Sequence, residues 1–287
     1  MMNTLVSRRA FLGASAGALG CAATVRWASA AEKALPPLAF YAMDTGLRGP
    51  DVPMLEDKVR LLHDLGYWGI DYTLNPAELP RLLKLLERYD IELACVYLSP
   101  ILEQPIDSRF VDAIKLIQGR PTRIELAIQS KKYKPSDPAG DGQAMDLIRR
   151  FSDVAADHGP VVSIYPHTGS WAQRVQDGVR LAEKSGRKNV GSNFNLVHWK
   201  WVKQDQPMEQ ALRQSLPKLF AVSINGLDGS KIVPLDQGNY DVTGFMRLLT
   251  RLGYRGPIGF QGYGIPGASR QILDRTMHAR FSQCHRK

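Results

Sequence analysis

The chain alternates two hydrophobic rhythms. Eight short runs, each six or seven residues long, are rich in apolar and β-branched residues and bounded by glycine, proline or polar positions: Leu38–Met43, Trp68–Thr73, Glu92–Leu98, Arg123–Ile128, Val161–Pro166, Val190–Leu196, Phe220–Asn225 and Ile258–Tyr263. These read as buried strands. Between them lie segments such as MLEDKVRLLHDLG and ELPRLLKLLERYD, with apolar residues at i, i+3, i+4 and i+7, the spacing of an amphipathic helix. Gly66 and Gly253, each in a Leu-Gly pair ahead of a strand, stand where helix C-caps belong.

Eight strands alternating with about eight helices predict a single-domain α/β fold, a (β/α)8 TIM barrel. A doubly wound open sheet is the competitor, but no Gly-x-Gly-x-x-Gly follows the first strand to favour it. In a barrel the active site lies at the C-terminal ends of the strands. Those ends present Asp44, Asp71, Tyr97, Ser130 with Lys131 and Lys132, Tyr165 with His167, Asn195 with His198, Asn225 and Gln261. The ring is polar and poor in carboxylates.

The first thirty residues break the rhythm. Arg8-Arg9 precedes an apolar Ala/Gly-rich run, and Ala28-Ser29-Ala30 forms a small-x-small cleavage pattern. Residues 1–30 are expected to be a cleaved twin-arginine-type export signal, giving a periplasmic or secreted protein, with the barrel in 31–287. A general secretory signal, a retained anchor and lipid attachment at Cys21 are the alternatives. The apolar run is shorter than the ~20 residues a membrane span needs, so no stable membrane insertion is expected after cleavage.

Of the 287 residues, 37 are basic and 28 acidic, a net charge of +9 that falls to +6 when Arg8, Arg9 and Arg26 leave with the signal. The charges are scattered, with no basic run to follow a phosphate backbone, so nucleic acid is not an expected partner. Cys95 and Cys284 survive cleavage and are expected to stay unlinked thiols, although an oxidising compartment leaves a disulfide open.

The motifs GYWGIDY, YPHTGSW, VGSNFNLVHW, VSING and GPIGFQGYG together resemble the xylose-isomerase-like barrel superfamily, and more narrowly an exported subgroup of it. The resemblance spans nearly the whole mature chain. It implies a sugar isomerase or epimerase with a divalent ion held by a Glu after strand five, an Asp after strand six, a His after strand seven and a Glu after strand eight. Here those positions carry Tyr165, Asn195, Ser223 or Asn225, and Gln261. The carboxylates that would balance an ion and move a proton are missing.

The residues themselves point to hydrogen bonding and imidazole chemistry. His167, His198 and Tyr165 are the candidate acid/base groups. Asn195, Asn225, Gln261, Lys132, Asp71 and Trp199 are candidate contacts to a small-molecule carbohydrate. Trp171, Trp199 and Trp201 flank the histidine motifs and suit either a sugar's C–H face or helix packing. A metal held by His167, His198 and a carboxylate such as Asp44 or Asp71 is the alternative; the cofactor, if any, and the oligomeric state stay open. The leading expectation is a sugar isomerase or epimerase. A lyase or hydrolase of a keto-sugar glycoside and a non-catalytic sugar-binding barrel are the other two readings.

Overall fold

The computed structural model describes residues 39–156 and 159–285, with side chains through residue 280; the segment read as an export signal lies outside the described residues. Eight parallel strands close into a barrel: β1 (Phe40–Met43), β2 (Gly69–Thr73), β3 (Glu92–Leu98), β4 (Arg123–Leu126), β5 (Val161–Ile164), β6 (Val190–Asn195), β7 (Leu219–Ile224) and β10 (Ile258–Phe260), with β10 pairing both β7 and β1. The expected (β/α)8 barrel is the fold. An antiparallel hairpin, β8 (Gly226–Asp228) and β9 (Lys231–Val233), interrupts the passage from β7 to the next helix; the periodicity did not reveal it.

The helices α1 (Leu55–Asp64), α2 (Leu79–Arg88), α3 (Ser108–Leu116), α4 (Asp141–Ala156), α5 (Val175–Ser185), α6 (Leu196–Trp201), α7 (Met208–Ser215), α8 (Val242–Arg251) and α9 (Ser269–His285) fill the connections. None among the described residues is long and apolar enough to cross a membrane. α1 and α8 end alike. Gly66 and Gly253 adopt φ of +74° and +80°, and the following Tyr67 and Tyr254 each donate a backbone N–H five residues back, to Leu62 and Leu249. This Schellman geometry is what the two Leu-Gly pairs announce.

Strand alternation sorts the core into two layers. Outward residues such as Phe40, Ile70, Val96, Ile124, Val162, Phe194, Val222 and Phe260 join the helix faces in the main apolar cluster. The inward layer has only a small apolar cluster, in which Tyr41, Met43, Ala94, Cys95, Ala127 and Tyr165 meet. The rest of that layer is polar, with Asp71, Arg123, Glu125, Ser163, Asn193, Asn195 and Ser223 all buried. Gly259 makes room for one ring: a Cβ there would lie 2.4 Å from the Tyr41 side chain.

Two register shifts shape the interior. Asp71 pairs with Cys95 although Ile70 pairs with Leu93, which leaves Ala94 extra; Asn193 pairs with Ala221 although Ser192 pairs with Leu219, which leaves Phe220 extra. The extra residues of such bulges fall out of the ladder. Their carbonyls are taken by one side chain: Arg123 donates from Nε to Phe220 O at 3.0 Å and from Nη1 to Ala94 O at 3.1 Å. A buried guanidinium thus ties β3 to β7 across the barrel.

Candidate active site at the barrel mouth

β6 ends at Asn195, which is also the N-cap of α6. Its Oδ1 accepts the backbone N–H of His198 at 3.1 Å, and this cap starts the helix that carries His198 into the mouth. The amide's other half faces the barrel axis. Nδ2 donates to the Tyr165 hydroxyl at 2.6 Å and to Gln261 Oε1 at 2.8 Å, so all three strand-end positions are joined. An aspartate could cap the helix but could make neither donation.

His167 follows β5 in a loop closed by its own N–H on Ala172 O. Its Nδ1 lies 2.7 Å from the carbonyl oxygen of Thr168. A carbonyl can only accept, so Nδ1 carries the proton and Nε2 of the neutral ring keeps a lone pair. The Thr168 hydroxyl meets His198 Nδ1 at 3.3 Å, so one residue positions both imidazoles. The two rings stand with centroids 4.0 Å apart at 47°, and Tyr165 meets both, at 6.1 Å and 5.8 Å.

Burial sets their charge. His198 is 3% exposed, and loss of water, reinforced by the neighbouring His167, pushes its pKa down to about 2. Half-buried His167 is also lowered by burial, with its hydrogen bond to Thr168 opposing. The Tyr165 phenol is raised, by burial first and then by Glu125 and Asp71, so it remains a donor. The two imidazoles and the phenol that meet at the mouth are therefore neutral. Buried atoms without a partner stand at the ends of neighbouring strands: His198 Nε2 after β6, and Ser223 Oγ and Asn225 Oδ1 at the end of β7. Polar atoms buried and unpaired in this way point to a missing hydrogen-bonding ligand.

The other expected contacts separate. Asn225 is fully buried beyond β7, with Nδ2 on Gly226 O and its oxygen left over. Lys132 is exposed on the loop after β4, which Glu103 organises by accepting the N–H groups of Lys131 and Lys132; its ammonium lies 5.0 Å from the Tyr133 ring centroid. Asp71 lies inside the barrel, 2% exposed and beside Cys95 and Glu125, rather than on the rim. Trp199 corrects its expected role: it stacks on outward-facing Phe194 at 5.5 Å, in the layer between barrel and helices. Trp171 is buried as well, its Nε1 on Asp137 O. The aromatic wall of the mouth is instead Trp201, 39% exposed, 5.7 Å from His198 and held by Nε1 on Ser230 O in the β8–β9 turn.

The strand-end residues do not fit a divalent ion. Asn195 turns N–H groups, not oxygen, toward Tyr165 and Gln261, and Gln261 Oε1 is occupied by that donation. The alternative of two histidines with Asp44 or Asp71 is not assembled either. Among the described residues, the group of three whose ligand atoms lie within 4.8 Å of one another is Asp71, Cys95 and Glu125. Cys95 is a free, buried thiol, and the Cys284 side chain lies outside the described residues.

The fold has many relatives of known structure. D-allulose 3-epimerase from Methylomonas sp. superposes with a TM-score of 0.71 at 15% identity, over 86% of this chain and 98% of that one. 3-Keto-D-glucoside 4-epimerase from E. coli gives 0.66 at 15%, over 86% and 100%. An AP endonuclease of family 2 from Brucella melitensis gives 0.68 at 17%, over 82% and 97%. At such identities the likeness is one of fold. No curated protein sequence matches. Residues 59–274 match the family model of the xylose isomerase-like TIM barrel, and the chain belongs to that family.

Proposed function

We propose that the barrel mouth is the active site of a carbohydrate isomerase or epimerase that moves a proton at a carbon next to a sugar carbonyl. The observation that carries this reading is the pair of neutral imidazoles, His167 and His198, 4.0 Å apart beside a floor of hydrogen-bond donors. The neighbours support the substrate class: D-allulose and a 3-keto-D-glucoside are both sugars with a carbonyl.

In this reading His167 Nε2 takes the proton from the carbon beside the carbonyl. The C–H electron pair becomes the new C=C bond as the carbonyl pair moves onto oxygen. The resulting enolate oxygen meets the Tyr165 O–H and the amide N–H of Gln261, whose own oxygen is spent on Asn195. Preorganised neutral donors stabilise such an oxyanion in a water-poor site. Return of a proton to the opposite face of that carbon completes an epimerisation, and return to the former carbonyl carbon, with a proton passing between the two oxygens, completes an isomerisation; neither gains or loses atoms. Asn225 Oδ1 and Ser223 Oγ are acceptors for sugar hydroxyls, and Trp201 offers its face to the ring. The twin-arginine-type segment supports an exported location for this activity.

The test is turnover of D-allulose, D-fructose and methyl 3-keto-D-glucoside by the wild type and by His167→Gln. Turnover that falls by roughly 10²- to 10⁴-fold in the variant is expected for loss of a general base. Sugars that bind both proteins and are changed by neither would identify a binding protein instead.

A further inference from the structure

We propose that the barrel interior, below the mouth, holds a divalent metal ion of the zinc type between Asp71, Cys95 and Glu125. This site is distinct from the strand-end chemistry and does not depend on the proposed reaction. The three residues come from adjacent strands, β2, β3 and β4, and all are fully buried. One ligand atom from each lies within 4.8 Å of the others. A tetrahedral ion with bonds of about 2.0 to 2.3 Å holds its ligand atoms roughly 3.3 to 3.8 Å apart, so a contraction of at most about 1 to 1.5 Å would close the set.

Unpartnered atoms independently point to a ligand there. Asp71 Oδ1 and Glu125 Oε2 have no hydrogen-bond partner, and neither does the hydroxyl of fully buried Tyr41 on the neighbouring strand. Tyr41 shares the inward cluster with Cys95, which makes this phenol, or a water beside it, the candidate fourth ligand.

The backbone and the surroundings also serve this arrangement. The register shift at Ala94 turns Ala94 and Cys95, consecutive in sequence, both toward the interior and sets Cys95 opposite Asp71. The shift at Phe220 falls beside Asn193, whose amide donates to Glu125 Oε1 while its oxygen accepts from Ser163. That is the outer-shell support a ligating carboxylate usually has.

Charge agrees. Arg123 supplies one positive charge to the interior, while a thiolate and two carboxylates supply three negative ones. An ion of charge +2 balances the set, displacing two protons as it enters. A thiolate with two carboxylates in a small closed cage suits zinc better than magnesium or calcium, which take oxygen ligands in larger number.

The experiment measures metal in full-length protein from zinc-supplemented cells, washed with chelator, beside Cys95→Ser, Glu125→Gln and a His167→Ala/His198→Ala double variant. About one zinc per chain is expected in the wild type and the histidine variant, resistant to chelator until the barrel unfolds, and at least a tenfold loss in Cys95→Ser and Glu125→Gln. Because an interior substitution can impair folding, wild-type protein from cobalt-grown cells gives a second readout. It should show a thiolate-to-cobalt charge-transfer band. Zinc below a tenth of an equivalent in the wild type together with no such band would overturn the site, leaving the two carboxyls to share protons. Zinc lost in the histidine variant but kept in Cys95→Ser would overturn it in favour of the mouth.

Discussion

Asn195 donates to Gln261 across the barrel mouth, Nδ2 to Oε1 at 2.8 Å, from the end of β6 to the end of β10. The same amide nitrogen donates to Tyr165, and the amide oxygen caps α6. A neutral amide stands where the resemblance implies a carboxylate because this position must donate twice and accept once. The site has become a hydrogen-bonded floor.

Asn195→Asp is therefore the sharpest probe of that floor. It keeps the cap but removes both donations and sets a carboxylate against Gln261 Oε1 in a buried site. We expect a loss of about 1 to 3 kcal/mol, the usual cost of leaving buried polar groups unsatisfied. Urea unfolding with an unchanged m-value would measure it. A variant as stable as the wild type would show that the two donations contribute nothing.

His198 predicts a pH dependence. Its folded-state pKa lies near 2, below the ordinary value near ~6.5 of the unfolded chain. The unfolded state therefore binds a proton that the folded state does not, and stability falls as pH drops below about 6.5. By pH 4.5 this one group costs about 2 to 3 kcal/mol. His198→Gln removes that part, so the stability gap between wild type and variant should shift by this amount between pH 7 and pH 4.5. A gap independent of pH would contradict the burial of a neutral ring.

Arg123 tests the interior. Arg123→Leu withdraws the donors to the Ala94 and Phe220 carbonyls, at about 1 to 3 kcal/mol for each buried group. It also leaves Glu125 without its nearby positive charge. Loss of several kcal/mol, or failure to accumulate folded protein, is expected; Arg123→Lys, which can serve one carbonyl, should fall between. Thermal denaturation of the three proteins gives the order, and a leucine variant as stable as the wild type would show that the clamp is dispensable.

These interior features explain what the sequence showed and what it hid. Strand and helix rhythms are local, so the eight strands, the two Leu-Gly helix stops and both mouth histidines could be read directly. Register is not local. The shifts at Ala94 and Phe220 depend on how neighbouring strands pair, and they decide that Cys95 faces Asp71 inside the barrel. Glu125 did leave a signal: Arg123 and Glu125 stand two apart in an apolar strand, hence on one face with opposite charges. Trp199 and Trp201 could not be told apart beforehand, because α6 is only six residues long and its face is set by the Asn195 cap. Thr168, which positions both imidazoles, lies in a loop that has no period.

Proton transfer by neutral histidines, with no metal ion at the mouth, is the chemistry proposed here for the barrel. Its most direct measurement is NMR of deuterium incorporation beside the carbonyl of D-allulose or methyl 3-keto-D-glucoside in D2O, with chelator present. Incorporation by the wild type is expected, unaffected by chelator and slowed at least 100-fold in His167→Gln, the lower end for loss of a general base. Incorporation that requires added Mn2+ or Co2+ and survives the His167 substitution would contradict it.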